Sequence, residues 1–110
     1  MKDFHDIWAL SRAFAIDGPS LRAAIVACFD LRAIAWTPEV PDVLTVSFYQ
    51  DAELQARWKS YLRSGGLRTP PNDRFEEIGS RVIGFLRPVR DAIVAGVPHA
   101  KLWPAGGPWT

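Results

Sequence analysis

Lys2-Asp3-Phe4-His5-Asp6-Ile7-Trp8 opens the chain, and how it folds decides what the remainder can be. It places Lys2, Asp3, Asp6 and an imidazole within about one and a half turns of a helix, then turns apolar. On a helix Lys2 and Asp6 stand one turn apart, and Asp3 shares the side of Asp6. Phe4, Ile7 and Trp8, with Phe14 further along, would form the apolar stripe that packs inward. One element thus offers an acidic edge above an aromatic face. From the residues alone, ordinary helix-start chemistry is the favoured reading of that edge. An early Asp gains about 0.3–1 kcal/mol from the helix dipole, and Lys before Asp at i,i+4 is the weaker orientation of that pair.

The helical period continues outward. Asp17-Gly18-Pro19-Ser20 ends the first helix, expected over 2–14, and starts a second, since Pro fits a first turn. Leu21, Ala24, Ile25 and Cys28 recur at helical spacing to about Arg32, with Arg22, Asp30 and Arg32 turned to water. On that stripe Cys28 reads as a small buried hydrophobe. Thr37-Pro38 and Val40-Pro41 favour an extended strap containing Trp36. Leu44 to Tyr49 suits either a strand or a short helix capped by Thr45; helix is favoured because no partner strand is apparent.

Asp51 is a good N-cap for a helix with Leu54, Trp58, Tyr61 and Leu62 on one stripe. Gly65-Gly66 should stop it, and Thr69-Pro70-Pro71-Asn72 should form a stiff connection. Asp73 with Glu76 resembles a capping box. Phe75, Ile78, Val82, Leu86, Val89 and Ile93 then carry a long helix to about Ala95, with Pro88 inside it and Gly96 closing it. The tail from Val97 to Thr110 has three prolines and two Trp, so it should strap across the helices and bury at least one indole. The predicted fold is all-α: a single domain over 1–110, a small cluster of four to five helices with Pro-rich straps and a Trp-containing tail.

Composition narrows the function classes. The chain has 110 residues, 48% hydrophobic and 23% charged, with five Trp and six Phe. That supports one modest, aromatic-rich core. A net charge of +1 supplies no strong field for nucleic acid or membranes. No apolar run approaches the ~20 residues of a membrane span, and the charged start is no signal peptide. The single cysteine, Cys28, excludes an internal disulfide and a Cys-based zinc site and fits a reducing, cytoplasmic setting. No Gly-rich phosphate loop, nucleophile elbow or His-Glu-x-x-His appears. Of the two histidines, His99 after Pro98 is expected to be exposed, and His5 lies nearer the acidic edge.

The order of short motifs carries further. Lys2-Asp3-Phe4-His5-Asp6 resembles the late Lys/Arg-Asp-x-x-Asp motif of the AbiEii/AbiGii-type nucleotidyltransferase toxins. The likeness continues through Ala24-Ile25, Phe29 and Arg32, Thr37-Pro38 and Pro41. It runs on through Leu44-Thr45, Phe48, Asp51, Trp58, Tyr61 and Arg63. Phe85-Leu86-Arg87-Pro88-Val89 and Leu102-Trp103-Pro104-Ala105-Gly106-Gly107-Pro108-Trp109 resemble the C-terminal segment of that family. The resemblance implies a toxin that moves a nucleotide from an NTP to an acceptor such as RNA with Mg²⁺. It implies Lys2, Asp3 and Asp6 as site residues, with Lys2 a point charge on phosphate. The metal-holding carboxylates of the family sit on a Gly-Ser-x-x-x-Asp strand-turn, a motif these 110 residues do not contain. The chain therefore corresponds to a C-terminal helical portion, expected to be inactive and to hold neither Mg²⁺ nor NTP alone. Its implied partners are the missing N-terminal half, an antitoxin, RNA or a second copy. Two alternatives stay open. One is a stand-alone helical module binding a protein through an apolar groove. The other is an RNA-contacting face of Arg57, Lys59, Arg63, Arg68 and Arg74, although such charges more often make an ordinary solvated face.

Overall fold

The computed structural model describes residues 1–64 and 74–110. Among these, five α-helices form: α1 (Lys2–Ala13), α2 (Gly18–Leu31), α3 (Val46–Tyr49), α4 (Ala52–Ser64) and α5 (Phe75–Ala95). A short 3₁₀ turn, Asp42–Leu44, precedes α3. Two two-residue strands, β1 (Ile16–Asp17) and β2 (Leu102–Trp103), pair antiparallel, with Ile16 opposite Trp103. The mostly helical expectation holds, and the one ladder joins the first interhelical link to the tail.

The long helix α5 is the hub, with α1, α2, α3 and α4 all packed on it. Glu76 and Glu77 lie in its first turn, where they complement the dipole. It ends at Gly96 in the left-handed region, φ 70°. There the Gly96 and Val97 amides bond back to Ile93 and Ala92 at 3.1 and 2.9 Å, a Schellman closure. Phe75, Ile78, Val82, Phe85 and Val89 are buried along it, as its spacing predicts. Pro88 lies within it and has no N–H to give the carbonyl four residues back. One residue further on, the Phe85 carbonyl accepts the Trp109 indole N–H from the tail at 3.0 Å.

Two aromatic clusters share this helix. Leu44, Tyr49, Trp58, Phe75, Ile78 and Val82 form the main core, with Phe4, Ile7 and Trp8 packed against it. Phe4 meets Phe75 edge-on at 5.4 Å between centroids. Tyr49 seats its ring on Gly79, where a Cβ would have to overlap it, and its hydroxyl donates to the Val43 carbonyl at 2.6 Å. The second cluster packs Phe85, Trp103 and Trp109. Trp103 is buried and donates its indole N–H to the Ser11 carbonyl at 2.7 Å. The same carbonyl accepts the Gly106 amide at 2.9 Å. The tail thus satisfies an end of α1 that would otherwise leave a bare acceptor.

Asp51 caps α4 by accepting the Leu54 amide at 3.0 Å. Thr45 stands at the start of α3, but its hydroxyl turns back to the Asp42 carbonyl at 2.6 Å instead of capping. The Gly65-Gly66 stop, the Pro70-Pro71 connection and the Asp73 capping box lie outside the described residues.

Four expectations are corrected. Phe14 is 59% exposed, because α1 ends at Ala13 and Phe14 is already extended. Cys28 is exposed, because α2 packs at the periphery and only part of its stripe meets α5. His99, expected in solvent, is buried. On α2, Arg22 is half-buried where a water-facing residue was expected.

Candidate functional site

The charged edge of α1 is held by what lies beneath it. Phe4, Ile7 and Trp8 anchor the helix on the core, and His5 packs its ring 5.7 Å from Trp8 and 6.3 Å from Tyr61. That leaves Lys2, Asp3 and Asp6 at the exposed surface. Asp3 is in the first turn, where the dipole favours a carboxylate. Asp6 lies 3.8 Å from the His5 Nδ1, a loose contact that charges only if the imidazole is protonated. Neither Lys2 nor Asp3 makes an ion pair or side-chain hydrogen bond among the described residues. The three residues lie within two turns of one rigid helix, free to meet something arriving from outside.

Among the described residues, three cavities stand out and none includes Lys2, Asp3 or Asp6. No group of three or more His, Cys, Asp or Glu among the described residues is placed to hold a metal ion. The donors present do not make a Mg²⁺ site without further carboxylates.

Other features were hidden in the sequence. A cavity of about 400 Å³ lies between α4 and α5, with Gln55, Lys59, Arg74 and Glu76 on its rim. Gln55 bridges there from the Tyr49 carbonyl to the Glu76 carboxylate, at 3.1 and 2.9 Å. Of the basic series, Lys59 and Arg74 share this rim, whereas Arg57 is tied to Glu53 at 2.9 Å and Arg68 lies outside the described residues. A second, apolar cavity of about 420 Å³ opens under the strap, between Ile25, Phe29, Trp36, Val43 and Leu86. Phe29 and Trp36 stack within it at 4.0 Å, only 8° from parallel. Neither cavity could be read locally, since each joins residues from distant elements.

No helix among the described residues is long and apolar enough to cross a membrane. A family model described as nucleotidyl transferase AbiEii toxin, type IV TA system, matches residues 1–81. No curated protein and no solved structure matches the chain.

Proposed function

The chain belongs to the AbiEii nucleotidyl transferase toxin family of type IV toxin–antitoxin systems, and on that premise we propose that it supplies one wall of a shared nucleotide-transfer pocket. The observation that supports this is the exposed, unpaired edge of Lys2 and Asp3 with Asp6, mounted on a helix whose other face is fixed in the core. In this reading Lys2 offers a point charge to a nucleotide phosphate. Asp3 and Asp6 orient the attacking group of an acceptor such as RNA. Transfer of this kind rests on positioning and charge stabilisation more than on covalent chemistry by side chains. Because the described donors do not fit Mg²⁺ by themselves, the metal carboxylates and the NTP site come from a segment outside these residues. The chain alone is then inactive, and it works in the cytoplasm.

The test is direct. Incubated with radiolabelled NTPs, Mg²⁺ and RNA, the 110-residue chain should leave the label entirely on the nucleotide. Label appearing on RNA would show that these residues hold a complete site and would overturn the shared-wall reading.

A second reading is favoured by the apolar cavity under the strap. Its lining of Ile25, Phe29, Trp36 and Leu86 suits a helical interaction module that takes an apolar side chain of an antitoxin or a partner subunit. Substituting Leu86→Trp would fill the hollow. Unchanged capture of a purified cognate antitoxin by that variant would dismiss this reading.

A further inference from the structure

His99 takes no part in the acidic edge, yet it is among the most enclosed polar side chains of the fold. It is 6% exposed, and its Nε2 is sealed from solvent with no hydrogen-bond partner. Two layers close on it. The first turn of α2 comes so near that a Cβ on Gly18 would collide with the His99 carbonyl oxygen and lie 2.7 Å from its Cδ2. From the other side the Trp109 indole meets the imidazole edge-on, with centroids 4.5 Å apart. Trp109 is itself fixed to α5 by its bond to the Phe85 carbonyl and its parallel stack on the Phe85 ring at 5.9 Å. Backbone bonds complete the enclosure. Gly18 N–H donates to the Lys101 carbonyl at 2.8 Å, and Leu102 and Thr110 exchange bonds of 3.1 and 2.9 Å.

The surroundings admit a neutral ring and oppose a charged one. Burial is the larger cause and the Lys101 ammonium the smaller, and both hold the imidazole below its ordinary value. From α2 comes the positive end of the helix dipole. Asp17, the carboxylate at that end, is occupied by the amide and hydroxyl of Ser20. Arg22, one turn beyond Gly18, keeps its own Nε buried without a partner. From α5 the approach is made by Phe85 through Trp109, neither of which ionises in this range. Thr110 contributes its backbone, already paired with Leu102.

We infer that the C-terminal strap, residues 97–110, is a clasp released by protonation of His99. As a neutral wedge between Gly18 and Trp109, the imidazole keeps the strap against α2 and α5. As an imidazolium it has no acceptor for its buried N–H and no carboxylate to pair with, so the strap lifts. The direction follows from the closed state binding the proton less well than the released one. Stability of the closed strap is complete above the ordinary histidine value of 6.5 and falls as the pH drops below it. Lowering the pH from 7.5 to 5.5 raises the released population, by up to about tenfold. Release uncovers Trp103, Trp109 and the Ser11 carbonyl at the end of α1, while the main core on the first half of α5 stays packed.

Amide hydrogen exchange by NMR reads this on the intact chain. Once intrinsic exchange chemistry is corrected for, opening at the Gly18 amide, whose bond to the Lys101 carbonyl joins α2 to the strap, should rise between pH 7.5 and 5.5, by up to about tenfold. The Ile78 amide in the main core should not follow. In His99→Gln, which stays neutral throughout, Gly18 opening should be flat with pH. An equal rise in His99→Gln, or no rise in the native chain, would overturn the inference. Should that variant fail to fold, the titration of the His99 ring protons in the native chain decides. A midpoint below the ordinary value supports the clasp, and one at or above it overturns it.

Discussion

Arg90 reaches from α5 to the Pro-rich strap, its Nη2 donating to both the Thr37 and the Glu39 carbonyls at 2.7 Å. The guanidinium is buried and its Nη1 is balanced by Asp91 at 3.0 Å. A segment carrying Pro38 and Pro41 cannot tie itself down through a backbone ladder, so this side chain does it from outside. Arg90→Met should cost about 2–3 kcal/mol, because it strands two acceptors that were satisfied by a charged donor. Urea unfolding monitored by tryptophan fluorescence checks this, and a loss below about 0.5 kcal/mol would show that the strap is held elsewhere.

Ala33 closes α2 with φ of 53°, a left-handed conformation that L side chains adopt only at a cost. Its amide bonds to the Asp30 carbonyl at 3.2 Å, and the Ile34 amide bonds to the Phe29 carbonyl at 2.9 Å, so the turn is firmly specified. Ala33→Gly should therefore stabilise the chain, by about 0.5–1 kcal/mol. A rise in thermal midpoint is the expected readout, and a fall would contradict the strained turn.

Tyr49 couples the main core to alkaline pH. Burial against Gly79 and Phe75 pushes its phenol up to about 12 from an ordinary 10.0. An unfolded chain gives up this proton earlier than the folded one does. The contribution is thus complete below pH 10 and is lost as the pH climbs from 10 towards 12. Tyr49→Phe should remove that decline. It should also cost about 1 kcal/mol at neutral pH through the missing bond to the Val43 carbonyl. Denaturation curves at pH 8 and pH 11 for both proteins give the comparison.

Much of this architecture could be read from short spacings. The stripe from Phe75 to Ile93, the Asp51 cap and the Gly96 stop are local signals, and each appears where the spacing places it. The misread residues are those whose surroundings come from distant sequence. His99 follows a proline in a loop, the usual setting of an exposed residue. It is buried because Gly18 and Trp109 close on it from remote parts of the chain. Cys28 sits on a sound helical stripe, but α2 lies at the edge of the fold and Leu31 beside it is 88% exposed. For the acidic edge, the residues and their shared face are legible in Lys2, Asp3 and Asp6. What stands opposite them is not, because periodicity encodes only which way a helix turns its own side chains.

The shared-wall reading is tested most directly by rebuilding the pocket. The metal-binding segment of a family member, carrying Gly-Ser-x-x-x-Asp, is fused ahead of Met1, and transfer of label from NTP to RNA is timed with Asp3 and Asp6 intact and with each changed to Asn. Both substitutions are on the surface and should shift stability by no more than about 0.5 kcal/mol. The intact fusion should transfer, and each Asn variant should slow transfer about a hundredfold with an unchanged thermal midpoint. Transfer at the parental rate in Asp3→Asn and Asp6→Asn would contradict the shared-wall reading.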